Sequence, residues 1–197
     1  EESVDTYHRL TRSTSPFEPD LIVWPETAMP FFFQDNEKFS KRLFEMTEQA
    51  GADLIFGSPA YKRMRTGTKY YNRVYLLSRQ GEFAGYYDKV HLVPFGEYVP
   101  YRWLFPFFRH LLHAAGNFAS GEKIEPLKLT NHSAGILICF EVIFPELART
   151  QARNGATILV NLTNDAWFGR TSAPYQHLSM AVFRAVENGR PMIRAAN

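Results

Sequence analysis

Two short apolar runs constrain this chain more than anything else in it: AGILICF at 134–140 and TILVNLT at 157–163. Runs of this length that are apolar on both faces, bounded by polar or turn residues, read as strands covered on both sides. DLIVW (20–24) and ADLIFGS (52–58) have the same character. Helical patterns separate them. Residues 36–50 carry Phe39, Leu43, Met46 and Ala50 at spacings of three and four, and Gly51 closes the pattern. FPELARTQARNGA has Pro145 near a helix start and Gly155 at its end. Residues 174–188 form a further helix, expected to turn Leu178, Ala181, Val182, Ala185 and Val186 inward and to stop at Gly189 and Pro191. RVYLLS and EFAGYYDKV flank Arg79-Gln80-Gly81 as a hairpin. Strands alternating with helices imply an α/β fold whose sheet is covered on at least one face.

The rest of the sequence narrows the class. Hydrophobic residues make up 45% and charged residues 21%, the balance of a globular protein with a core. A net charge of +2 is too small to point to nucleic acid as a partner. No run approaches the roughly 18–20 apolar residues that span a bilayer. One cysteine allows no internal disulfide. EESVDTYHRLTRS reads as the middle of a helix, with Val4, Tyr7 and Leu10 or Thr11 on one face, and RPMIRAAN reads as a strand. The expectation is one domain over residues 1–197, truncated at both ends.

Buried strands in α/β sheets present reactive groups at their C-terminal ends. Glu26 follows the first strand, Lys89 ends the hairpin strand, Cys139 closes AGILICF, and Asn164-Asp165 follow TILVNLT. Each has two readings. Cys139 is either a small buried hydrophobe or a nucleophile, and the second needs a base or a cation beside it. Glu26 is a solvated turn residue or a general base. Lys89, among aromatic and aliphatic neighbours, is a strand-edge lysine or an ammonium that stabilises an oxyanion or depresses a thiol pKa. Asn164 and Asp165 order the site by hydrogen bonding or belong to a packed turn. Trp167-Phe168 line a channel to the site or pack that same turn.

IVWPETAMP, YDKVHLVPFGEYVP, ILICFEVIFPE and VNLTNDAWFG…PYQHLSMAVFRAVENGRPMIRAAN occur in this order. Together they resemble the nitrilase (carbon-nitrogen hydrolase) superfamily and, within it, the apolipoprotein N-acyltransferase family. The resemblance runs from about residue 20 to the end. It implies an αββα sandwich with a Glu-Lys-Cys triad: Glu26 as base, Lys89 as oxyanion stabiliser and Cys139 as nucleophile. It also implicates Glu97 and Glu141, with the backbone N–H of Phe140 as a second oxyanion donor. Soluble amidases of the superfamily commonly read Cys-Tyr-Asp-x-Arg-Phe-Pro-Glu. This chain reads Cys139-Phe140-Glu141-Val142-Ile143-Phe144-Pro145-Glu146, without the arginine and with Phe140 where the family usually has Tyr.

The resemblance implies a ping-pong reaction. Glu26 takes the Cys139 proton, the thiolate attacks an acyl ester of a phospholipid, and a lysophospholipid leaves a thioester behind. The amine of a diacylglyceryl-cysteine lipoprotein then takes the acyl chain. The implied partners are a phospholipid donor, a lipoprotein N-terminus and the membrane surface, reached through a transmembrane bundle beyond this chain. The implied location is the extracytoplasmic side of the bacterial inner membrane. No metal or cofactor is expected. The six histidines, His177 among them, are dispersed and read as structural or surface residues.

PYRWLFPFFRHLLHAAGNF (100–118) is aromatic and basic. It reads as a lipid-dipping arm carrying Trp103, Phe105, Phe107 and Phe108, or as a buried loop and helix on the sheet. YKRMR (61–65) reads as a solvated basic turn. Two alternatives stand beside acyl transfer: a soluble amidase acting on a small amide, and an inactive fragment that only binds lipid.

Overall fold

The computed structural model describes residues 2–98, 117–169 and 171–197. The first sheet contains β1 (Leu21–Val23), β2 (Asp53–Met64), β3 (Gly67–Leu77) and β4 (Phe83–Asp88), in that order. β1 lies parallel to β2, and the other pairs are antiparallel. The second sheet contains β5 (Leu127–Lys128), β6 (Ser133–Ile138), β7 (Ile158–Thr163) and β8 (Met192–Ala196), with β6, β7 and β8 parallel. Among the described residues four α-helices accompany them: α1 (Glu2–Ser13), α2 (Glu37–Ala50), α3 (Pro145–Arg153) and α4 (Ala173–Asn188).

Strand alternation builds the layers. On β6, Ala134, Ile136 and Ile138 join Ile158, Val160 and Leu162 of β7 and Ile55, Val74 and Leu76 of the first sheet in one cluster between the sheets. Leu137 and Leu159 point the other way, onto Leu147 and Ala148 of α3. On the far side of the first sheet, Leu54 and Phe56 pack with Leu43 and Met46 of α2 and Val4 of α1. The result is α/β/β/α, the sandwich the motifs imply. Each Leu- or Ile-sized side chain fully buried in these layers contributes about 1.5–3 kcal/mol.

Local signals explain the helix ends. Asn36 accepts from the Phe39 N–H at the start of α2, and Gly51 closes it at φ 62°, the left-handed value that suits glycine. In α1 it is Thr11, not Leu10, that turns inward, because its hydroxyl accepts from Trp24 Nε1 at 3.0 Å.

Two expectations are corrected. Tyr61, Lys62, Arg63 and Met64 of YKRMR form the outer end of β2, which pairs with β3 in a hairpin reaching from Leu54↔Leu77 to Met64↔Gly67, and only Arg65 lies in the turn between them. The face of α4 also differs. His177, Ala181 and Arg184 are buried, whereas Leu178, Val182 and Val186 are exposed. Arg184 donates to the carbonyls of Val142 and Ile143 and pairs with Glu187, so α4 spends its inner face on polar contacts to the turn after β6. Residues 100–116 of the proposed arm, with Trp103, Phe105, Phe107 and Phe108, lie outside the described residues.

One glycine positions the turn after β1. A Cβ on Gly57 of β2 would stand 2.6 Å from the Thr27 N and 2.9 Å from the Glu26 Cα. Only a bare backbone lets the Glu26 turn lie directly on β2. Gly57→Ala is expected to cost about 1–3 kcal/mol through overpacking, read as a lower thermal midpoint. An unchanged midpoint would contradict this close approach.

Candidate active site

Glu26, Lys89 and Cys139 come from three strand ends and meet in the space between the two sheets. Glu26 is 7% exposed, in the turn that leaves β1. Its Oε1 accepts from Asn72 Nδ2 at 2.8 Å and lies 3.7 Å from Lys89 Nζ. Its Oε2 accepts from the backbone N–H of Asn164 at 3.0 Å. Lys89, the residue after β4, is 1% exposed, and its Nζ donates to Glu97 at 2.9 Å. Glu97 also accepts from Asn72 Nδ2 at 2.7 Å and from the Val93 N–H at 2.8 Å. Asn72 of β3 thus divides its two amide hydrogens between two carboxylates. Burial works against the Lys89 ammonium, but the charges of Glu26 and Glu97 outweigh it, and its pKa ends above the ordinary lysine value.

Cys139 begins a short 3-10 turn (Cys139–Ile143) at φ 49°, a left-handed conformation that costs an L-residue on the order of 1–2 kcal/mol. Burial, then the Glu26 carboxylate, push its thiol up to about 11, while Lys89 and a hydrogen bond with Thr163 pull the other way. Lys89 therefore acts in the expected direction without making a resting thiolate. The thiol is protonated at neutral pH, and a nucleophile formed here needs a base at the moment of attack. The Phe140 N–H lies in the first turn after Cys139, where the helical ladder supplies no partner within the turn. The Phe140 ring packs edge-on against Phe144 at 5.2 Å.

Two polar groups hold the cysteine turn. Glu141 is fully buried. Its Oε1 accepts from the N–H groups of Val90 (2.7 Å) and His91 (3.0 Å) and from the Tyr87 hydroxyl (3.1 Å), and its Oε2 from the Ile138 N–H (2.8 Å). It ties the segment after Lys89 to the residue before Cys139. His177 of α4 is 6% exposed, and its Nε2 donates to the Cys139 carbonyl at 3.0 Å. Its Nδ1 lies 3.3 Å from Asp165 and 3.4 Å from Arg194 of β8, and Arg194 pairs with Asp165 at 2.5 Å. Nε2 carries the hydrogen that the Cys139 carbonyl accepts, and Nδ1 faces both the Asp165 carboxylate and the Arg194 guanidinium.

The residues picked from the sequence therefore separate. Asn164 serves Glu26 through its backbone N–H, and its side chain caps Ala166. Asp165 reaches the cysteine turn only through His177 and Thr163. Trp167 is 85% exposed. Asn72, Thr163 and His177 escaped the sequence reading. Asn72 left a signal, since Asn is depleted in strands and this one interrupts YYNRVYLL.

Two measurements follow from this geometry. Glu26→Gln removes a charge that raises the thiol pKa, so the pH midpoint for Cys139 alkylation by iodoacetamide is expected to fall. A midpoint that stays or rises would contradict the Glu26–Cys139 coupling. Burial pushes the Glu141 carboxyl from 4.5 up to about 7, against the pull of three backbone N–H groups. Between those values the fold holds a proton that the unfolded chain has lost. Its contribution is therefore fully present below about pH 4.5 and is lost as pH rises through about 7. Glu141→Gln removes this titration and leaves a buried donor facing donors, at about 1–3 kcal/mol. The stability advantage of the wild type over Glu141→Gln is expected to shrink as pH rises through that window. Urea midpoints for both proteins decide it, and a gap that widens with pH would refute the assignment.

Comparison with known proteins adds to the geometry. A carbon-nitrogen hydrolase family model matches residues 1–197. An apolipoprotein N-acyltransferase of Geobacter metallireducens is 50% identical over 198 residues, covering 100% of this chain and 38% of that protein. One from Rhizobium rhizogenes is 42% identical, covering 91% of this chain and 34% of that protein. The chain thus spans little more than a third of the length of these curated relatives. Among solved structures, a carbon-nitrogen hydrolase from Helicobacter pylori G27 superposes with TM-score 0.75 at 19% identity, covering 99% of this chain and 68% of that one. An amidase variant from Nesterenkonia sp. AN1, bearing the product of Michael addition of acrylamide at its active-site cysteine, superposes with TM-score 0.67 at 22% identity. That match covers 99% of this chain and 72% of that one.

Proposed function

This chain belongs to the carbon-nitrogen hydrolase family, and from that premise we propose that it is the catalytic part of an apolipoprotein N-acyltransferase. The observation that carries the reading is the 50% identity to such an enzyme across the whole of this chain. The amidase likeness is a likeness of fold, at 22% identity. The motif after the cysteine agrees, since Ile143 stands where the soluble amidases have their arginine.

In this reading the resting state is a neutral Cys139 thiol beside a Glu26 carboxylate. The sulfur attacks the carbonyl of a phospholipid acyl ester, and its proton passes to Glu26. Lys89 and the Phe140 N–H stabilise the oxyanion that develops. The intermediate collapses, Glu26 returns the proton to the departing lysophospholipid oxygen, and the acyl chain remains as a thioester on Cys139. The α-amine of a diacylglyceryl-cysteine lipoprotein attacks that thioester and loses a proton to Glu26. The amide forms, and the thiol takes the proton back. Glu97 keeps Lys89 charged through both halves, and Asn72 keeps the two carboxylates apart.

The reading places the domain on the extracytoplasmic face of the bacterial inner membrane. Among the described residues no helix is long and apolar enough to cross a membrane, so access to lipid depends on the rest of the relatives' length. A small-amide hydrolase is the second reading, favoured by the superposition on the Nesterenkonia amidase.

The test is intact-mass spectrometry of the full-length, membrane-embedded protein after exposure to phospholipid vesicles. An acyl-sized adduct on the wild type, absent from Cys139→Ser and discharged by a diacylglyceryl-cysteine peptide, is the expected result. No adduct would overturn the reading. Ammonia release from simple amides without an adduct would move it to the hydrolase.

A further inference from the structure

The β2–β3 hairpin extends well past the site. Asn72, which touches both Glu26 and Glu97, pairs with Pro59, and five further residues of β2 continue to Met64 at the tip. At about 3.3 Å per residue the tip stands roughly 17 Å beyond the level of Asn72. The direction follows from topology. β2 runs parallel to β1, so its C-terminal half projects from the same end of the sheet on which Glu26 lies.

This extension has an unusual charge pattern. Lys62, Arg63, Arg65 and Lys69 lie on it, and no acidic residue occurs between Asp53 and Glu82. Residues 62–70 are all exposed, Met64 at 45% and Tyr70 at 41%. The other two arginines of that interval are neutralised at the root, Arg73 by Asp88 and Arg79 by Asp20. None of the four tip cations is ion-paired to a described carboxylate. Lys62 faces Lys69 directly across the ladder, a like-charge pair that weakens a hairpin in water. The base is stiff, with Phe32 packed on both Tyr61 and Tyr70. A rigid projection that carries unpaired cations at a cost to its own stability is suited to an extended anionic surface.

We infer that the 62–69 hairpin tip docks the site against the anionic headgroup layer of a lipid bilayer. The inference deepens the acyl-transfer reading and rests on it for the presence of a membrane donor. Four cations at one tip give a summed attraction that a single phosphate does not, and each Lys or Arg near an anionic surface strengthens partition about fivefold. Met64 between them adds an apolar contact at headgroup depth.

The test is sedimentation of the 197-residue chain, as wild type and as Cys139→Ser, with vesicles of phosphatidylcholine alone or mixed with phosphatidylglycerol. Both proteins are expected to bind the phosphatidylglycerol vesicles much the more strongly, and to lose that preference in high salt as the Debye length shortens. The K62Q/R63Q/R65Q/K69Q variant is expected to bind several hundredfold more weakly, with its thermal midpoint unchanged or raised by relief of the Lys62–Lys69 repulsion. R149Q/R153Q, exposed on α3 and running away from the site, is expected to bind like the wild type. Equal binding by the wild type and the tip variant would overturn the inference. So would displacement by glycerol phosphate, which would make the tip a site for a soluble anion. Because binding is read in Cys139→Ser as well, it is independent of acyl transfer. Charge-dependent binding without an acyl adduct would refute the acyltransferase reading and leave a lipid-docking hairpin. An adduct with charge-independent binding would do the reverse.

Discussion

A buried ammonium needs its charge matched, and much of the site is arranged around that requirement at Lys89. An ion removed from water loses several kcal/mol of solvation, which only close partners of opposite charge return. Lys89 has two, Glu97 at 2.9 Å and Glu26 at 3.7 Å. Two carboxylates against one ammonium leave an excess negative charge, and the surplus lone pairs need donors. The Asn72 amide supplies one hydrogen to each carboxylate, and the N–H groups of Val93 and Asn164 supply the others. Those donors come from β3, the loop after β4 and the end of β7. Satisfying one cation thus draws the ends of both sheets together.

The same excess charge explains the state of the thiol. A cysteine beside a lysine is commonly expected to ionise, but here burial and Glu26 prevail and hold the thiol up to about 11. In the proposed reaction, attack then couples sulfur–carbon bond formation to proton transfer. When Glu26 takes the proton it becomes neutral, and Lys89 is left with one full counter-charge instead of two. Its field is then less compensated at the moment an oxyanion develops beside it, which is where a cation is of most use. A Lys89 paired with a single carboxylate would lose its counter-charge entirely on that step, so in this reading Glu97 is the counter-charge that remains while Glu26 holds the proton.

The strands, the Gly51 stop of α2 and the three strand-end positions that the fold brings together were legible because each is a local signal: apolar runs, a glycine after a periodic segment, and charged or nucleophilic residues at strand ends. The orientation of α4 was not. Its hydrophobic pattern points Leu178, Val182 and Val186 inward, whereas the fold buries His177, Ala181 and Arg184. The reason lies forty residues away, in the carbonyls of Cys139, Val142 and Ile143 that need donors once the chain enters its left-handed turn. Periodicity reports where apolar residues are, not which backbone groups elsewhere lack partners. The outer end of the β2–β3 hairpin was missed for a related reason: beyond the Tyr61–Tyr70 pair, Lys62 to Lys69 carries no apolar alternation from which a strand is read.

On the proposed reading, what distinguishes a transferase from a hydrolase on this fold is not the set Glu26, Lys89 and Cys139, because a thioester on Cys139 would be equally open to water and to an amine. Selectivity has to come from what surrounds the thioester during its lifetime. Two outgrowths rise beside the strand ends: the β2–β3 extension and the 91–98 loop that carries Glu97. These two meet at one place. Phe118 pairs with Tyr70 on the edge of the extension and donates to the Glu97 carbonyl. A loop that holds the Lys89 counter-ion is therefore mechanically continuous with the outgrowth that faces outward.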